Sequence, residues 1–169
     1  MALLKQEIQI ETVVIGLGEM QVSKNPSVVL ACLGLGSCIG LCAYDPVSKV
    51  AGMAHIVLPS SEGRNAGNSP KYADTAVPTL VDAMCKIGAN ERRLVIKIAG
   101  GAQMSGGPGA SAIFKTGEKN IEATKETLAK HGIRLVSSET GGKHGRTVRL
   151  YVDSGKVSVA AAGSASTDI

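Results

Sequence analysis

Three observations predict an α/β fold, a layered sandwich of mostly antiparallel or mixed β-sheets flanked by helices. Short apolar runs alternate with glycine-rich turns, and the chain's 21 glycines follow no G-X-Y period, which favours strands and loops over a helical bundle. Aromatic residues make up only 2% of the 169 residues, so the core must be aliphatic. The predicted order of four strands, a helix, a strand, a helix and three strands lacks the regular alternation of a doubly wound fold.

The first half of the chain predicts the four leading strands. Residues 7–15 alternate and are rich in β-branched side chains, and the apolar runs 28–33, 39–44 and 50–58 are separated by glycine-rich and Asp-Pro turns. The polar segment 59–70 is typical of a long loop. The sequence DPVSK between the third and fourth runs is a natural hairpin turn, so these two strands should pair antiparallel.

The second half predicts two helices and the remaining strands. Apolar side chains recur at helical spacing over 73–87 and 117–131, and each segment is followed by a glycine typical of a helix end, Gly88 and Gly132. Between them, 99–112 is a glycine-rich loop. The further predicted strands are 94–98, 134–137, 146–152 and 156–160. We expect one domain over residues 1–160 and a disordered tail over 161–169, because the tail has nothing to bury.

The composition disfavours several classes of protein. The net charge of +4 comes from 18 basic and 14 acidic residues that are interleaved, which favours a solvated surface over a nucleic-acid interface. The chain has no apolar run of the ~18 residues that span a membrane and no signal peptide, so we expect a cytoplasmic protein. Its four cysteines then belong to a reducing compartment, and the lack of a C-x-x-C pair disfavours a structural zinc site.

The stretch ACLGLGSCIGLCAYD, residues 31–45, places Cys38 at the end of a glycine-rich turn between two predicted strands. A dinucleotide-binding turn needs a following helix and a P-loop needs a G-K-[ST] sequence, and neither is present. A buried, inert cysteine is the commonest fate of this residue type. The alternative is a nucleophile within the G-x-C-x-G sequence of residues 36–40. There, small neighbours admit a substrate carbonyl, and backbone N–H groups can stabilise an oxyanion.

The register of the predicted hairpin bears on this choice. If Tyr44 faces Lys49, Cys38 lies directly opposite His55; if Tyr44 faces Val50, His55 is a neighbour of the partner of Cys38. Directly opposite residues share a face and have Cβ atoms ~4.5–5.5 Å apart. A histidine beside a cysteine lowers the thiol pKa and supplies a proton shuttle. The hairpin therefore predicts a catalytic Cys38–His55 pair, with Cys38 in an exposed turn as the most reactive of the thiols.

Three other side chains lie near these residues in the sequence or in the predicted fold. Strand 28–33 folds back across the turn and should bring Cys32 close to Cys38. Cys42 shares a face with Cys38 but lies further along the strand, so we interpret it as a packing residue. His144 lies in the GGKHGR loop and is interpreted as a solvated loop residue.

The motifs GLGSC, YDP and GMAHIVLP together resemble the CheD family of chemotaxis proteins, and the resemblance continues through KYADTAVP, GGAQM, GEKNIEATKETLAKHGI and ETGGKHGRTVR. It implies a chemoreceptor glutamine deamidase with a layered α/β sandwich like that of toxin deamidases. Cys38 and His55 match the catalytic cysteine and histidine of the family. The resemblance implies two partners, the cytoplasmic domain of a methyl-accepting chemoreceptor and a CheC-type phosphatase of CheY, and requires no metal or cofactor.

One position departs from the family pattern. A threonine that completes a triad usually lies six residues before the catalytic cysteine, and here this position is Cys32, which the resemblance places in the catalytic group with an open role. A thiol is a poor hydrogen-bond partner, so Cys32 substitutes, a backbone carbonyl orients His55, or the enzyme is slow. The oxyanion would be bound by backbone near Gly36, Ser37 and Cys38. The alternative function is a non-catalytic adaptor that regulates a CheC-type phosphatase; a cysteine peptidase is a third.

Overall fold

The structure is a computed structural model that describes residues 9–103 and 115–169. Residues 7 and 8 of the first predicted strand and 104–112 of the predicted glycine-rich loop lie outside this part. The described residues form the following strands: β1 (Glu11–Val14), β2 (Met20–Ser23), β3 (Val28–Leu35), β4 (Ile39–Asp45), β5 (Val50–Ile56), β6 (Val95–Gly100), β7 (Leu135–Thr140), β8 (Arg146–Tyr151), β9 (Val157–Ala161) and β10 (Thr167–Asp168). The helices are α1 (Ala73–Lys86), α2 (Thr116–Lys130) and the short 3-10 helix η1 (Glu91–Arg93).

The strands form two five-stranded sheets. The outer sheet has the order β1-β3-β8-β9-β10, and the central sheet has the order β2-β5-β4-β6-β7. The β1–β3 and β6–β7 pairs are parallel, and the other pairs are antiparallel. The prediction of a layered α/β sandwich with mixed sheets is therefore confirmed.

The central sheet separates two apolar layers. Along β4, Ile39 and Leu41 pack with α1 and α2, whereas Cys42 and Tyr44 pack in the layer between the two sheets. This alternation follows from the period of two along a strand. On β5, Met53 also belongs to the layer between the sheets. The helices α1 and α2 thus cover one face of the central sheet, and the outer sheet covers the other.

The observed hairpin register differs from both predicted alternatives. Tyr44 pairs with Ala51 and Gly40 pairs with His55, so Lys49 and Val50 are both wrong as partners of Tyr44. The strand continues to Asp45 because its carboxylate accepts hydrogen bonds from the turn that follows, and Lys49 turns back with a φ of 58°. The longer turn shifts the pairing by two residues relative to the first alternative. An even shift preserves the face of every side chain.

Two segments differ from the predicted elements. The strand β2 was not predicted, because Met20–Ser23 is short and partly polar, as is typical of the sheet edge that it forms beside β5. The tail was predicted to be disordered, but Thr167–Asp168 pairs with β9. Ile169 packs against the layer between the sheets, and its carbonyl accepts a hydrogen bond from Lys97 Nζ. This apolar side chain gives the tail something to bury. Among the described helices, none is long and apolar enough to cross a membrane.

Candidate active site

Cys38 lies directly before β4, in the turn that connects it to the outer sheet. The turn is held by its carbonyl groups: Gly36 accepts a hydrogen bond of 2.8 Å from the N–H of Ala102, and Cys38 accepts one of 2.8 Å from that of Gly101. The chain after β6 can approach this closely because residue 100 is a glycine with a φ of 112°; a Cβ there would collide with the Cys38 carbonyl oxygen. The backbone of Cys38 is therefore held in place by hydrogen bonds from the residues that follow β6.

A buried side chain of α2 holds the middle of the same turn. Asn120 is fully buried, and its Nδ2 donates to the carbonyl oxygens of Ser37 and Val57, each at 2.9 Å. Val57 directly follows β5, the strand that carries His55. One amide group thus connects the turn that ends in Cys38 with the end of the strand that carries the candidate base.

The segment between β1 and β2 forms hydrogen bonds with both the backbone and the ring of His55. The His55 N–H donates to the Glu19 carbonyl at 2.9 Å, and the His55 carbonyl accepts from the Gly18 N–H at 3.0 Å. The ring Nδ1 lies 3.0 Å from the Ile15 carbonyl oxygen. Because a carbonyl can only accept, Nδ1 carries the proton, and Nε2 of the neutral ring is a free acceptor. Nε2 is buried and has no hydrogen-bond partner among the described residues.

Cys38 and His55 face the same side of the central sheet. Gly40 pairs with His55, and Cys38 lies two residues before Gly40, so the two side chains are diagonal neighbours in the gap between the sheets. Such neighbours lie ~7–8 Å apart, and among the described residues His55 Nε2 makes no hydrogen bond to the Cys38 sulfur. The predicted direct opposition is wrong, but the prediction that the two residues share a face is confirmed. Gly40 places no side chain beside the imidazole.

The thiol pKa values follow burial. Burial raises the pKa of Cys38, which is opposite to the predicted lowering. Burial, together with the nearby Cys38, raises the pKa of Cys32 to about 12. Burial also raises the pKa of Cys42, which packs between the sheets as predicted. The prediction of an exposed Cys38 is wrong, because Cys38 is half-buried and Cys85 is the exposed thiol.

Cys32 lies close to Cys38 but does not orient the imidazole. Its Sγ donates to Met53 Sδ at 3.4 Å inside the layer between the sheets, whereas the His55 Nδ1–H is donated to Ile15. Of the alternatives drawn from the sequence, a backbone carbonyl is the one that the geometry favours. The nearby Cys38 contributes to the raised pKa of Cys32, which agrees with the predicted folding of β3 across the turn.

The expected oxyanion donors are the N–H groups in the turn that contains Gly36 and Ser37. Within residues 9–103 and 115–169, no group accepts a hydrogen bond from the N–H of Ser37 or of Cys38. His144 is exposed, in agreement with its interpretation as a loop residue. In the same described ranges, no group of three or more His, Cys, Asp or Glu side chains is placed to hold a metal ion.

Sequence reasoning missed two partners of the site. The Ile15 carbonyl carries no side-chain signal, so only the fold reveals its contact with His55. Asn120 did carry a signal, because it lies one helical turn before Thr124 on the predicted inward face of the second helix. A polar amide on that face requires partners, and two backbone carbonyls supply them for its NH₂ group.

Comparisons with known proteins agree with the resemblance. A family model described as CheD chemotactic sensory transduction matches residues 57–161. The "Chemoreceptor glutamine deamidase CheD" of Thermotoga maritima is 47% identical over 150 residues, which cover 89% of this chain and 92% of that protein. The "Probable chemoreceptor glutamine deamidase CheD" of Symbiobacterium thermophilum is 46% identical over 151 residues, 88% of this chain and 92% of that protein. A solved structure, the hypothetical protein YfiH of Bacillus licheniformis, aligns with a TM-score of 0.45 at 16% identity, over 80% of this chain and 61% of that chain.

Proposed function

The chain belongs to the CheD family, and we propose from this premise that it hydrolyses glutamine side chains of chemoreceptors to glutamate. Cys38 is the nucleophile and His55 is the general base of the proposed reaction. The enzyme is then a protein-glutamine glutaminase, a cysteine hydrolase that acts on side-chain amides. Its substrate is the cytoplasmic domain of a methyl-accepting chemoreceptor, and the protein itself is cytoplasmic.

One observation carries this proposal: the imidazole of His55 is held in a single tautomer. Its Nδ1–H is donated to the Ile15 carbonyl, while Nε2 is buried, unpaired among the described residues and on the face of Cys38. The large majority of buried side-chain polar atoms in proteins have a hydrogen-bond partner. An unpaired acceptor on the face that carries the Cys38 thiol is instead available to act as a general base, and it must approach Sγ to hydrogen-bond distance for proton transfer.

The first half of the reaction forms a thioester. Because burial keeps the resting thiol of Cys38 protonated at neutral pH, His55 Nε2 must take its proton as the sulfur attacks the amide carbon of the glutamine. The N–H groups of Ser37 and Cys38 donate to the oxyanion of the tetrahedral intermediate. His55 then returns the proton to the leaving nitrogen, and ammonia departs.

The second half releases glutamate. Neutral His55 takes a proton from a water molecule, whose oxygen attacks the thioester carbonyl at the same oxyanion position. Collapse of this second intermediate breaks the carbon–sulfur bond and regenerates the thiol, with its proton returned by His55. Water is the only co-reactant, so the proposed chemistry requires neither metal nor cofactor.

The adaptor function remains the second candidate, and the raised pKa of Cys38 is the observation that favours it. In this role the protein binds a CheC-type phosphatase and Cys38 has no chemical task. The proposed enzyme also takes such a phosphatase as a partner, so binding alone does not separate the two functions.

The deciding experiment is incubation with a receptor cytoplasmic fragment, followed by peptide mass mapping. The proposed enzyme converts particular glutamines to glutamate and releases ammonia, and the Cys38→Ala variant does neither. A Cys85→Ala variant, which lacks the exposed thiol instead, is the matched control and should retain activity. An adaptor would leave every glutamine unchanged while binding the phosphatase, and a peptidase would cut the fragment's backbone.

A further inference from the structure

The buried amide of Asn120 raises a question that packing does not answer. Its Nδ2 makes two hydrogen bonds to backbone carbonyls, but its Oδ1 is buried and has no partner among the described residues. An unpaired buried polar atom costs about 1–3 kcal/mol. An apolar side chain of the same shape would avoid that cost, so the two donated hydrogen bonds are what the site requires of this residue.

The first of these bonds sets the direction of a peptide group. The Ser37 carbonyl and the Cys38 N–H belong to the same peptide unit, and the described residues contain no cis peptide bond. In a planar trans peptide, the C=O and N–H point in opposite directions. Because the carbonyl points to Asn120 on α2, the N–H of Cys38 points away from the helix. The same hydrogen bond polarises the peptide unit and makes its N–H a stronger donor.

The second bond fixes the position of this peptide relative to the base. Val57 lies two residues beyond His55, and its carbonyl is the other acceptor of Asn120 Nδ2. The segment before Cys38 and the segment after His55 are therefore joined through a single NH₂ group. A movement of one of them away from the other would break a hydrogen bond in a fully buried site.

We propose that Asn120 is a positioning residue that orients and polarises the Ser37–Cys38 peptide, so that the Cys38 N–H stabilises the oxyanion formed when this thiol is acylated. The inference rests on the proposed role of Cys38 as an acyl-transfer nucleophile. Asn120 acts through the peptide and through the spacing to His55, and touches neither the substrate nor the sulfur.

The proposal predicts a difference between two reactions of the same thiol. Acylation by p-nitrophenyl acetate forms a carbon–sulfur bond through a tetrahedral oxyanion and releases p-nitrophenol. Alkylation by iodoacetamide displaces iodide from a saturated carbon and forms no oxyanion. Both rates are measured in a Cys85→Ser background, which removes the exposed thiol, with Cys38→Ala in the same background as the blank. Loss of one oxyanion donor costs about 10²–10³-fold. Asn120→Leu leaves the Cys38 N–H in place but misdirects it, so acylation should slow by about 10²-fold, the lower end of that range, and alkylation by less than about threefold.

Two control variants on the same helix separate positioning from stability. Leu128→Ala removes a buried side chain of α2 about two helical turns beyond Asn120, and Thr127→Val removes a hydroxyl whose partner among the described residues is the Ala123 carbonyl. Both should leave the ratio of acylation to alkylation unchanged, even where they lower the melting temperature. If Asn120→Leu does not fold, Asn120→Ala removes the same two donors without adding bulk and carries the same expectation.

The outcomes distinguish this inference from the proposed function. With the receptor fragment, Asn120→Leu should lower kcat by about 10²-fold. KM should stay within about twofold, because Asn120 does not contact the substrate and its loss leaves ground-state binding unchanged. Equal slowing of acylation and alkylation, or no slowing of either, overturns the positioning role. A wild-type protein that deamidates no glutamine overturns the proposed function, while the ester-to-alkylation ratio still tests Asn120.

Discussion

The two ends of the β4–β5 hairpin differ in how their buried titratable side chains are satisfied. At the turn end, the fully buried carboxylate of Asp45 accepts hydrogen bonds from the N–H groups of Val47, Ser48 and Asn90. It also accepts a bidentate pair of bonds from the Arg93 guanidinium, at 3.0 and 2.7 Å. Every acceptor position of this group is used. The Asp45 carboxylate thereby links the turn, η1 and the loop before η1.

At the open end, buried polar atoms are left unpaired. His55 Nε2 and Asn120 Oδ1 have no partner among the described residues, and no group in that part of the chain accepts from the Cys38 N–H. Unpaired atoms cost stability, and the turn end holds one as well, Ser48 Oγ, so the contrast lies in the titratable side chains: Asp45 is fully paired and His55 keeps a free Nε2. The comparison indicates that the turn end contributes stability and the open end contributes reactivity, and substitutions at the two ends should separate these properties.

The largest expected effect is the loss of turnover when the base is removed. His55→Ala should lower kcat for deamidation by at least about 10³-fold, as should Cys38→Ala, because the two groups act as one unit. The melting temperature of each variant should change by only a few degrees. The matched control is His144→Ala, which removes an exposed histidine and should retain full turnover. Near-normal turnover of His55→Ala would show that another group takes the thiol proton.

The turn end should respond in the opposite way. Asp45→Ala should lower the free energy of unfolding by about 2–4 kcal/mol, because it leaves four donor groups around an empty buried position. Turnover of the remaining folded protein should be unchanged. Urea unfolding measures the loss, with the exposed Asp82→Ala on α1 as the control. A large fall in kcat at full folding would mean that the two ends are coupled through the hairpin.

Low pH should destabilise the protein through protonation of Asp45. The guanidinium of Arg93 holds the pKa of Asp45 well below its usual range. A group with a depressed folded-state pKa contributes stability that is fully present above its unfolded pKa of about 3.9 and is lost as the pH falls further. The difference in unfolding free energy between wild type and Asp45→Asn should therefore shrink as the pH falls below about 4. A difference that stays constant down to pH ~2 would contradict this assignment.

The raised pKa of Cys38 predicts a slow thiol at neutral pH. Burial disfavours the thiolate, so the rate of iodoacetamide alkylation at Cys38 should still be rising above pH ~8.5, the usual thiol pKa. The exposed Cys85 supplies an internal reference in the same peptide map and should be labelled first at neutral pH. Rapid labelling of Cys38 below pH ~7 would instead indicate a resting thiolate–imidazolium pair.

The sequence predicted the shared face of Cys38 and His55 but not their spacing. Side-chain parity along paired strands has a period of two, so an error of two residues in the register left the face correct. The error arose at Asp45, whose carboxylate organises a longer turn through contacts with η1 that no local pattern encodes. The contact between His55 and the Ile15 carbonyl could not be predicted for the same reason, because backbone partners in distant segments follow from the fold and not from residue type.

The smallest expected effect concerns Cys32, and it tests whether the open end is complete as it stands. The family's threonine at this position would offer a hydroxyl to the catalytic pair, but here His55 Nδ1 already bonds to the Ile15 carbonyl and Cys32 bonds to Met53. Cys32→Thr should therefore change kcat by less than about twofold. It should also lower the free energy of unfolding by about 1 kcal/mol. The new hydroxyl would be buried in an apolar layer where its neighbour is the Met53 sulfur, a weak hydrogen-bond acceptor. Steady-state deamidation and urea unfolding measure the two quantities, with Cys42→Ser as a control for a new hydroxyl in the same layer. A several-fold rise in kcat would mean that a hydroxyl at residue 32 orients the imidazole better than the carbonyl does, and that the open end of this chain is not optimised for catalysis.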